Sequence, residues 1–270
     1  MKKHLQDKVV IITGSGSGIG KATALLFCKQ GAKVMLNGRD ENKLRKVATE
    51  FSSYGYAVSF FSGDITCFET CKKLVDYTTK TFGGINVLVT NAGISMNARF
   101  DEMGPELFKK IFDSNIYGAV MPLYAALSEL KKSNGSVIFI GSAAGFHGMP
   151  TASAYSAGKM ALTALQQSLC AELHKHKVHV GILYVGFTKN DYDKKLLSSS
   201  GQWVPVPKRP GFFQQSQNKV ANSVLKMVTR RTNKKTLSLV GISTEIVSRT
   251  APWIILLATI LSQRPRQTTP

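Results

Sequence analysis

The sequence is poor in cysteine, and the few cysteines it has are not spaced as metal ligands. Four occur among 270 residues, and none forms a CxxC pair. Cys67 and Cys71 have no histidine partner at zinc-site spacing, so we predict no metal site. A chain of this length buries enough apolar surface to fold without disulfides, and a reducing, cytoplasmic environment fits its cysteine usage.

Long apolar runs are also missing. No stretch reaches the roughly 18 apolar residues that a membrane-spanning helix needs. The amino-terminal segment, MKKHLQDKVVIITGSGSG, has only the short apolar run VVII and no small-residue cleavage site. We therefore expect neither a secretory signal nor a transmembrane helix, and we predict a cytoplasmic protein that is either free or peripheral on a membrane.

Acidic residues are scarce relative to basic ones. Asp and Glu total 16 against 35 Lys and Arg, which gives a formal net charge of +19. Such a charge attracts anionic partners, which include a phosphate-rich cofactor, an acidic carrier protein, an anionic membrane and nucleic acid. No nucleic-acid module is recognisable and aromatic residues are not interleaved with the basic ones, so we predict no nucleic-acid partner.

Short apolar runs alternate with longer amphipathic stretches along the chain. The amphipathic stretches predict helices at 18–30, 40–52, 67–82, 104–131, 152–176 and 216–231. The apolar runs predict seven strands: VVIIT (9–13), KVMLN (33–37), AVSFFSG (57–63), NVLVTNAG (86–93), SVIFIGS (136–142), VHVGILYV (178–185) and TLSLVG (236–241). Continuous Val, Ile and Leu runs indicate strands buried on both faces. The pattern predicts a single α/β domain of Rossmann type, with a doubly wound, seven-stranded parallel sheet and helices on both faces.

One segment inside this domain, which we assign to residues 1–242, breaks the alternation. Residues 189–215 contain a serine run and three prolines. Ligands of open α/β sheets bind outside the carboxyl ends of the strands, so we interpret this segment as a loop that covers the substrate. A plain surface excursion is the alternative.

The tail at 243–270 is less regular. It contains the apolar run APWIILLATIL (251–261), which is flanked by three arginines, Arg249, Arg264 and Arg266. Two interpretations stay open. The tail is either an amphipathic segment that contacts a membrane through 251–266, or a helix packed on the core or on a partner subunit.

A glycine-rich loop, TGSGSGIG (13–20), follows the first predicted strand and opens the first helix. Gly14 permits a tight turn, Gly18 lets the backbone approach a pyrophosphate, and Gly20 allows close helix–strand packing. The helix N-terminus offers free N–H groups and a positive dipole end to phosphates. The loop predicts a dinucleotide site with these contacts: Gly14, Ser15, Ser17, Gly18, Ile19 and Gly20.

The end of the second strand indicates which dinucleotide is bound. An acidic residue there would bond the adenosine ribose 2′-hydroxyl and favour NAD. The sequence has Gly38 and then Arg39, whose guanidinium suits a 2′-phosphate. Asp40 is the better N-cap for the next helix. We therefore predict NADP(H) as the cofactor, with Arg39 as a contact.

A candidate catalytic group follows the fifth strand. Tyr155 and Lys159 lie four residues apart at the start of a helix, so they share one face. A free tyrosine has a pKa near ~10, and a neighbouring ammonium lowers it. Ser142 ends the fifth strand, thirteen residues before Tyr155, where its hydroxyl could bond a substrate oxygen.

Polar and small residues also end the fourth strand. The motif TNAG places Asn91, Ala92 and Gly93 where a nicotinamide ribose would lie, and Asn115 stands mid-helix, where a side-chain amide is intrinsically unfavourable. Taken with the glycine loop, Ser142, Tyr155 and Lys159, these motifs resemble the short-chain dehydrogenase/reductase family over residues 7 to about 241, in the family's order and spacing.

The resemblance implies a role for each matched residue. Tyr155 would be the general acid/base, Ser142 would orient the carbonyl, and Lys159 would bind the nicotinamide ribose and tune Tyr155. Asn115 would hold a water in a proton relay. Asp64 resembles the family's adenine-contacting acid, and the implied cofactor contacts also include Ile65, Asn91, Ala92, Gly93, Tyr155 and Lys159.

The sequence departs from the family pattern after the sixth strand. Val185-Gly186 stands where Pro-Gly is usual, and Asn190 replaces the later threonine, with Thr188 displaced from it. An amide side chain both donates and accepts, so we keep Gly186, Thr188 and Asn190 as cofactor contacts.

These residues predict an oxidoreductase that reduces a ketone to a secondary alcohol, or the reverse. The apolar tail and basic surface suggest a lipid-like substrate such as a 3-ketosphinganine, since the tail loosely resembles that of 3-ketosphinganine reductases. A 3-oxoacyl-carrier-protein reductase and a hydroxysteroid dehydrogenase are the alternatives. A non-catalytic dinucleotide-binding scaffold would need a broken Ser-Tyr-Lys set. The family commonly pairs subunits through the helices at 104–131 and 152–176, so a homodimer or homotetramer is expected.

Overall fold

The computed structural model describes residues 4–189, 195–207 and 214–262. The strands are β1 (Val9–Thr13), β2 (Lys33–Gly38), β3 (Val58–Ser62), β4 (Val87–Thr90), β5 (Met96–Asn97), β6 (Ser136–Ser142), β7 (His179–Val185), β8 (Lys195–Ser198), β9 (Trp203–Pro205) and β10 (Lys234–Thr236). The α-helices are α1 (Gly18–Lys29), α2 (Glu41–Ser53), α3 (Phe68–Phe82), α4 (Pro105–Lys132), α5 (Ser153–Glu172), α6 (Gln217–Arg230), α7 (Leu239–Thr250) and α8 (Pro252–Ser262).

Seven strands form one parallel sheet in the order β3-β2-β1-β4-β6-β7-β10. β1 pairs with β2 on one side, with Ile11 opposite Met35, and with β4 on the other, with Ile11 opposite Leu88. The strand order reverses between β1 and β4, and the crevice outside that point is where open α/β sheets bind ligands. The predicted doubly wound sheet is confirmed.

Successive residues of the strands pack into two different cores, one on each face of the sheet, and the apolar runs are continuous for this reason. Ile12 packs with Phe27 of α1 and Val224 of α6 on one face of the sheet. The preceding residue, Ile11, packs with Leu74 of α3 on the other face. A strand alternates its side chains between faces, so a sheet covered by helices on both sides needs apolar residues at every position.

The seventh strand of the sheet lies earlier than predicted. The apolar run at 236–241 was expected to form it, but β10 ends at Thr236 and α7 begins at Leu239. Ser238, with φ of 104°, turns the chain, and its hydroxyl accepts a hydrogen bond from Gly241 N at 3.0 Å. This N-cap converts the second half of the run into a helix.

A second, three-stranded sheet of order β5-β8-β9 lies beside Tyr155. β8 and β9 come from the segment at 189–215, and Leu197 of β8 pairs with Met96 of β5. Leu197 is fully buried in a small apolar cluster that Tyr155 also joins. The parts of the segment at 190–194 and 208–213 lie outside the described residues.

The chain ends in two helices rather than one. α7 and α8 meet at an angle of 117°. Among the described residues, no single helix is both long and apolar enough to cross a membrane.

Candidate active site

The candidate catalytic residues meet at the carboxyl edge of the large sheet. Ser142 is the last residue of β6, and Tyr155 and Lys159 lie on the first turns of α5. The Lys159 ammonium donates a hydrogen bond to Ile140 O of β6 at 2.9 Å and lies 5.6 Å from the centroid of the Tyr155 ring. The structure therefore brings together the three side chains that the sequence predicted to act together.

Burial controls the pKa of Tyr155. Loss of hydration raises it, and a hydrogen bond with Ser142 partly opposes the rise. The spacing of Tyr155 and Lys159 predicts that the ammonium lowers this pKa, but the net direction in the structure is upward. The phenol consequently carries its proton at neutral pH in the protein alone.

Asn115 lies inside α4 and faces the same space as Lys159. Its Nδ2 donates to Ile94 O and to Ile111 O, both at 2.8 Å. Its Oδ1 is buried and has no hydrogen-bond partner among the described residues. A Cβ placed on Gly93 would lie 2.6 Å from this oxygen and 3.6 Å from the Lys159 ammonium. An acceptor and a cation therefore border one small volume that only a glycine at 93 leaves open.

The glycine loop has the geometry that its sequence predicted. Gly14 has φ of +63° and Gly18 has φ of +56°, which is the left-handed region that glycine adopts without strain. A Cβ on Gly20 would lie 2.3 Å from Gly14 O, so α1 starts closer to the loop than any side chain permits. Ser17 is the exposed N-cap residue of α1, and no acidic residue occupies the first turn.

Hydrogen bonds that the sequence did not predict hold this loop in place. Ser15 is buried; its N–H donates to Asn37 O at 2.9 Å and its hydroxyl accepts from Asn37 N at 2.9 Å. The Asn91 amide donates to Thr13 O at 2.9 Å and to Gly14 O at 3.1 Å. Ser15 and the side chain of Asn91 therefore anchor the loop between β2 and β4.

Thr13 is a site residue that sequence reasoning missed. Its buried hydroxyl accepts hydrogen bonds from Asn91 N at 3.0 Å and Ala92 N at 3.1 Å. The available signal was a threonine at the end of an otherwise aliphatic strand, next to the loop.

The side chains expected around the adenosine lie at the ends of β2 and β3. Arg39 is exposed and makes no ion pair with another described residue. Asp40 caps α2, as predicted, by accepting a hydrogen bond from Lys43 N at 3.0 Å. Lys43 also lies beside the loop, although the sequence did not predict it as a contact. A Cβ on Gly16 would be 3.4 Å from the Cβ of Lys43.

Asp64 and Ile65 follow β3 but face different surroundings. The exposed Asp64 carboxylate accepts hydrogen bonds from Thr66 N at 2.9 Å and Thr66 Oγ1 at 2.8 Å. The Ile65 side chain is buried in the apolar core beneath. Ile65 could therefore contact a ligand only through its own backbone atoms.

The comparison with protein families decides what kind of site this is. Residues 8–200 match the family model described as short chain dehydrogenase. The chain belongs to the short-chain dehydrogenase family. The predicted family and enzyme class, a dehydrogenase/reductase, are thereby confirmed.

Curated relatives of this short-chain dehydrogenase extend over most of its length. It is 35% identical over 189 residues to an uncharacterized oxidoreductase of Thermotoga maritima, covering 70% of this chain and 74% of the relative. It is 36% identical over 208 residues to the 11-beta-hydroxysteroid dehydrogenase-like 4A protein of Arabidopsis thaliana, covering 76% and 69%.

Solved structures share the fold. An alcohol dehydrogenase from the archaeon Thermococcus sibiricus, complexed with 5-hydroxy-NADP, superposes with a TM-score of 0.74 at 25% identity, covering 85% of this chain and 95% of that one. A metagenomic short-chain oxidoreductase in complex with NADP gives 0.71 at 23% identity, covering 87% and 98%. The first neighbour was solved with an NADP derivative, and the second shows the shared fold.

The remaining predicted cofactor contacts of this short-chain dehydrogenase, Gly186, Thr188 and Asn190, follow β7 in the sequence. A Cβ on Gly186 would lie 2.6 Å from the Ser238 hydroxyl, so a larger residue there would displace the hydroxyl that caps α7. Thr188 is nearly buried and pairs with Gln215 in an isolated parallel bridge. Asn190 lies outside the described residues.

Proposed function

We propose that this short-chain dehydrogenase interconverts a ketone and a secondary alcohol with NADP(H), and that its substrate is lipid-like. The observation that carries the proposal is the meeting of Ser142, Tyr155 and Lys159 beside the switch point of the sheet, where the glycine loop also ends. An intact set of this kind argues against a non-catalytic dinucleotide-binding scaffold.

The crevice fits a dinucleotide with a 2′-phosphate. The left-handed glycines and the acid-free start of α1 leave backbone N–H groups for a pyrophosphate. Arg39 is exposed and makes no ion pair with another described residue, and Lys43 adds a second cation beside the loop. We infer that Arg39 binds the 2′-phosphate, with Asp64 at the adenine and with backbone contacts from Ile65, Ala92 and Gly93. Bound NADP(H) would supply or accept the hydride.

Residues of the chain hold and transfer the proton that the reaction needs. In the reduction direction, the neutral Tyr155 hydroxyl donates its proton to the substrate oxygen, and its raised pKa keeps that proton in place beforehand. Ser142, which is hydrogen-bonded to Tyr155, also binds the substrate oxygen and stabilises the charge that develops on it. Lys159 lies 5.6 Å from the Tyr155 ring, where its charge favours the phenolate that remains. The Asn115 Oδ1 faces Lys159 and is suited to position a water that returns the proton from solvent.

An apolar cluster beside Tyr155 supports a lipid-like substrate. Ile94, Met96 and Leu197 are buried in it, and Met103, Leu107 and Phe108 are partly buried against it. We propose that the segment at 189–215, which contributes Leu197, covers the substrate. A long-chain ketone such as a 3-ketosphinganine suits this cluster. A steroid ketone is the second candidate, favoured by the relatives described as 11-beta-hydroxysteroid dehydrogenase-like.

The assembly and location follow as proposals from the surface. Tyr117 and Tyr124 of α4 are 43% and 65% exposed, which suits a homodimer or homotetramer formed through α4 and α5. We propose a cytoplasmic enzyme with peripheral membrane contact.

A substrate panel tests the function. Purified protein is assayed for NADPH consumption with a long-chain 3-ketosphinganine, a steroid ketone and a 3-oxoacyl-carrier substrate, with Tyr155→Phe as the control. We expect turnover of the long-chain ketone by the wild type only. Turnover of the carrier substrate alone would replace the lipid proposal with the carrier reductase, and turnover of none of the three would overturn both.

A further inference from the structure

The carboxy-terminal helices carry an exposed apolar surface that the catalytic domain does not cover. Ten of the twenty exposed large apolar side chains among the described residues belong to α7 and α8, and each of these ten is at least 42% exposed. They are Leu239, Val240, Ile242, Ile246, Trp253, Ile254, Leu256, Leu257, Ile260 and Leu261. A concentration of exposed apolar side chains is typical of an interaction site, and we call these ten residues the apolar face.

The charges on and around this face are basic or neutralised. Within residues 239–262 the only charged side chains are Glu245 and Arg249. The Glu245 carboxylate is paired with Lys234, accepts a hydrogen bond from Thr236 at 2.6 Å and lies 3.7 Å from Arg249. The sequence that follows, 263–270, has two arginines and no acid. Among the described residues of these two helices, the acidic side chain is therefore paired, and no unpaired negative charge repels an anionic surface.

Charge also discriminates between the two candidate occupants of the face. An anionic bilayer is complementary to the formal charge of +19, whereas a second copy of the chain, which we propose to pair through α4 and α5, offers this face no opposite charge. At 1.5 Å per residue, α7 and α8 are each under about 20 Å long, short of the roughly 30 Å hydrocarbon core. Together they have the length and composition of a span, but they are bent by 117° where they meet and so do not form one continuous helix. Since neither helix is long enough to cross alone, we expect their exposed apolar side chains to insert into the interfacial region of a bilayer.

The apolar face borders the catalytic edge of the sheet. α7 follows the carboxyl end of β10 and packs against the turn Ala143–Gly145, directly after Ser142. The Ser238 hydroxyl that caps α7 lies against Gly186, where a Cβ would be 2.6 Å away. A bilayer on the apolar face would therefore lie beside the opening of the site.

We propose that α7 and α8 dock on an anionic lipid bilayer and hold the catalytic edge at its surface, so that an apolar ketone enters the site from the membrane. The docking rests only on the apolar face and the charge; the entry of a ketone rests also on the proposed function.

Co-sedimentation of the full chain with vesicles tests the docking. We expect binding to vesicles of phosphatidylcholine mixed with phosphatidylserine, much weaker binding to phosphatidylcholine alone, and release by salt. Leu257→Glu removes an aliphatic side chain that the bilayer would bury and adds an anionic charge, so it should lower the partition coefficient about tenfold or more. Tyr54→Glu makes the same charge change at an exposed aromatic side chain of another surface, where Tyr54 is 59% exposed, and should leave binding unchanged. Circular dichroism checks that both variants are folded.

Two outcomes would overturn the docking. One is the absence of wild-type binding to the mixed vesicles. The other is a solution dimer, measured by sedimentation velocity, that Leu257→Glu converts to monomer, because the apolar face would then join two copies. Turnover of a short water-soluble ketone by the wild type tests the proposed function separately. For a long-chain ketone presented in mixed vesicles, Leu257→Glu should raise KM about tenfold, and an unchanged KM would refute entry from the membrane.

Discussion

Replacement of Arg39 by aspartate should reverse the cofactor preference. Arg39 is exposed and makes no ion pair with another described residue, so its removal breaks no contact of the fold. Hydrogen bonds to charged groups contribute about 1.5–3 kcal/mol, and solvent exposure places this one at the lower end, which corresponds to about tenfold in affinity. An aspartate also repels the 2′-phosphate and bonds a 2′-hydroxyl, which adds about another tenfold. The kcat/KM ratio of NADPH to NADH should therefore fall about a hundredfold.

The assay is steady-state kinetics with each cofactor at a fixed ketone concentration. Arg45→Asp is the matched control, because Arg45 has the same charge on the neighbouring helix but pairs with Glu41 at 2.5 Å. It should leave the ratio nearly unchanged. An unchanged ratio for Arg39→Asp would refute the assignment and direct attention to Lys43.

Three further predictions follow from the site. Gly93→Ala places a Cβ 2.6 Å from Asn115 Oδ1, so kcat should fall roughly 10–100-fold through displacement of that amide. Gly104→Ala is the control, because a Cβ there meets nothing within 4 Å. An unchanged kcat in Gly93→Ala would contradict the role of Asn115. In the protein without cofactor, a pH titration of the absorbance difference between wild type and Tyr155→Phe reports the ionisation of Tyr155. Tyrosinate should form only above the ordinary tyrosine pKa of about 10, since burial raises the pKa of Tyr155. Tyrosinate at neutral pH would refute this. Ser142→Ala removes the hydrogen bond that opposes that rise, so the Tyr155 titration should move to still higher pH, and a shift to lower pH would show that Ser142 does not stabilise the phenolate.

The elements of the sheet could be predicted because their signals are local. Ile11 and Ile12 pack into the cores on opposite faces of the sheet, so a run of aliphatic residues identifies a strand without knowledge of the neighbouring strands. The seventh strand was misplaced because Leu237, Leu239 and Val240 give the segment at 236–241 the pattern of a strand, and only the turn at Ser238 divides it between a strand end and a helix. That turn depends on backbone geometry that periodicity does not record.

Features of the site that depend on long-range contacts could not be predicted. Thr13 and Asn91 meet across 78 positions of the chain, and Ser15 meets Asn37 across 22. The pKa of Tyr155 depends on how deeply α5 buries the ring, whereas the sequence offered only its spacing from Lys159. The two interpretations of the tail stayed open because exposure, which separates a packed helix from a docking helix, is a tertiary property.

The measurement closest to the central claim is the comparison of Tyr155→Phe with wild type in two assays on the same preparation. NADPH binding, followed by thermal shift or fluorescence titration, should be largely retained, because the phenol oxygen is not needed to fill the glycine-loop crevice. Ketone turnover should be abolished, because phenylalanine has no proton to donate. Turnover that persists with NADPH bound would contradict the assignment of Tyr155 as the acid/base.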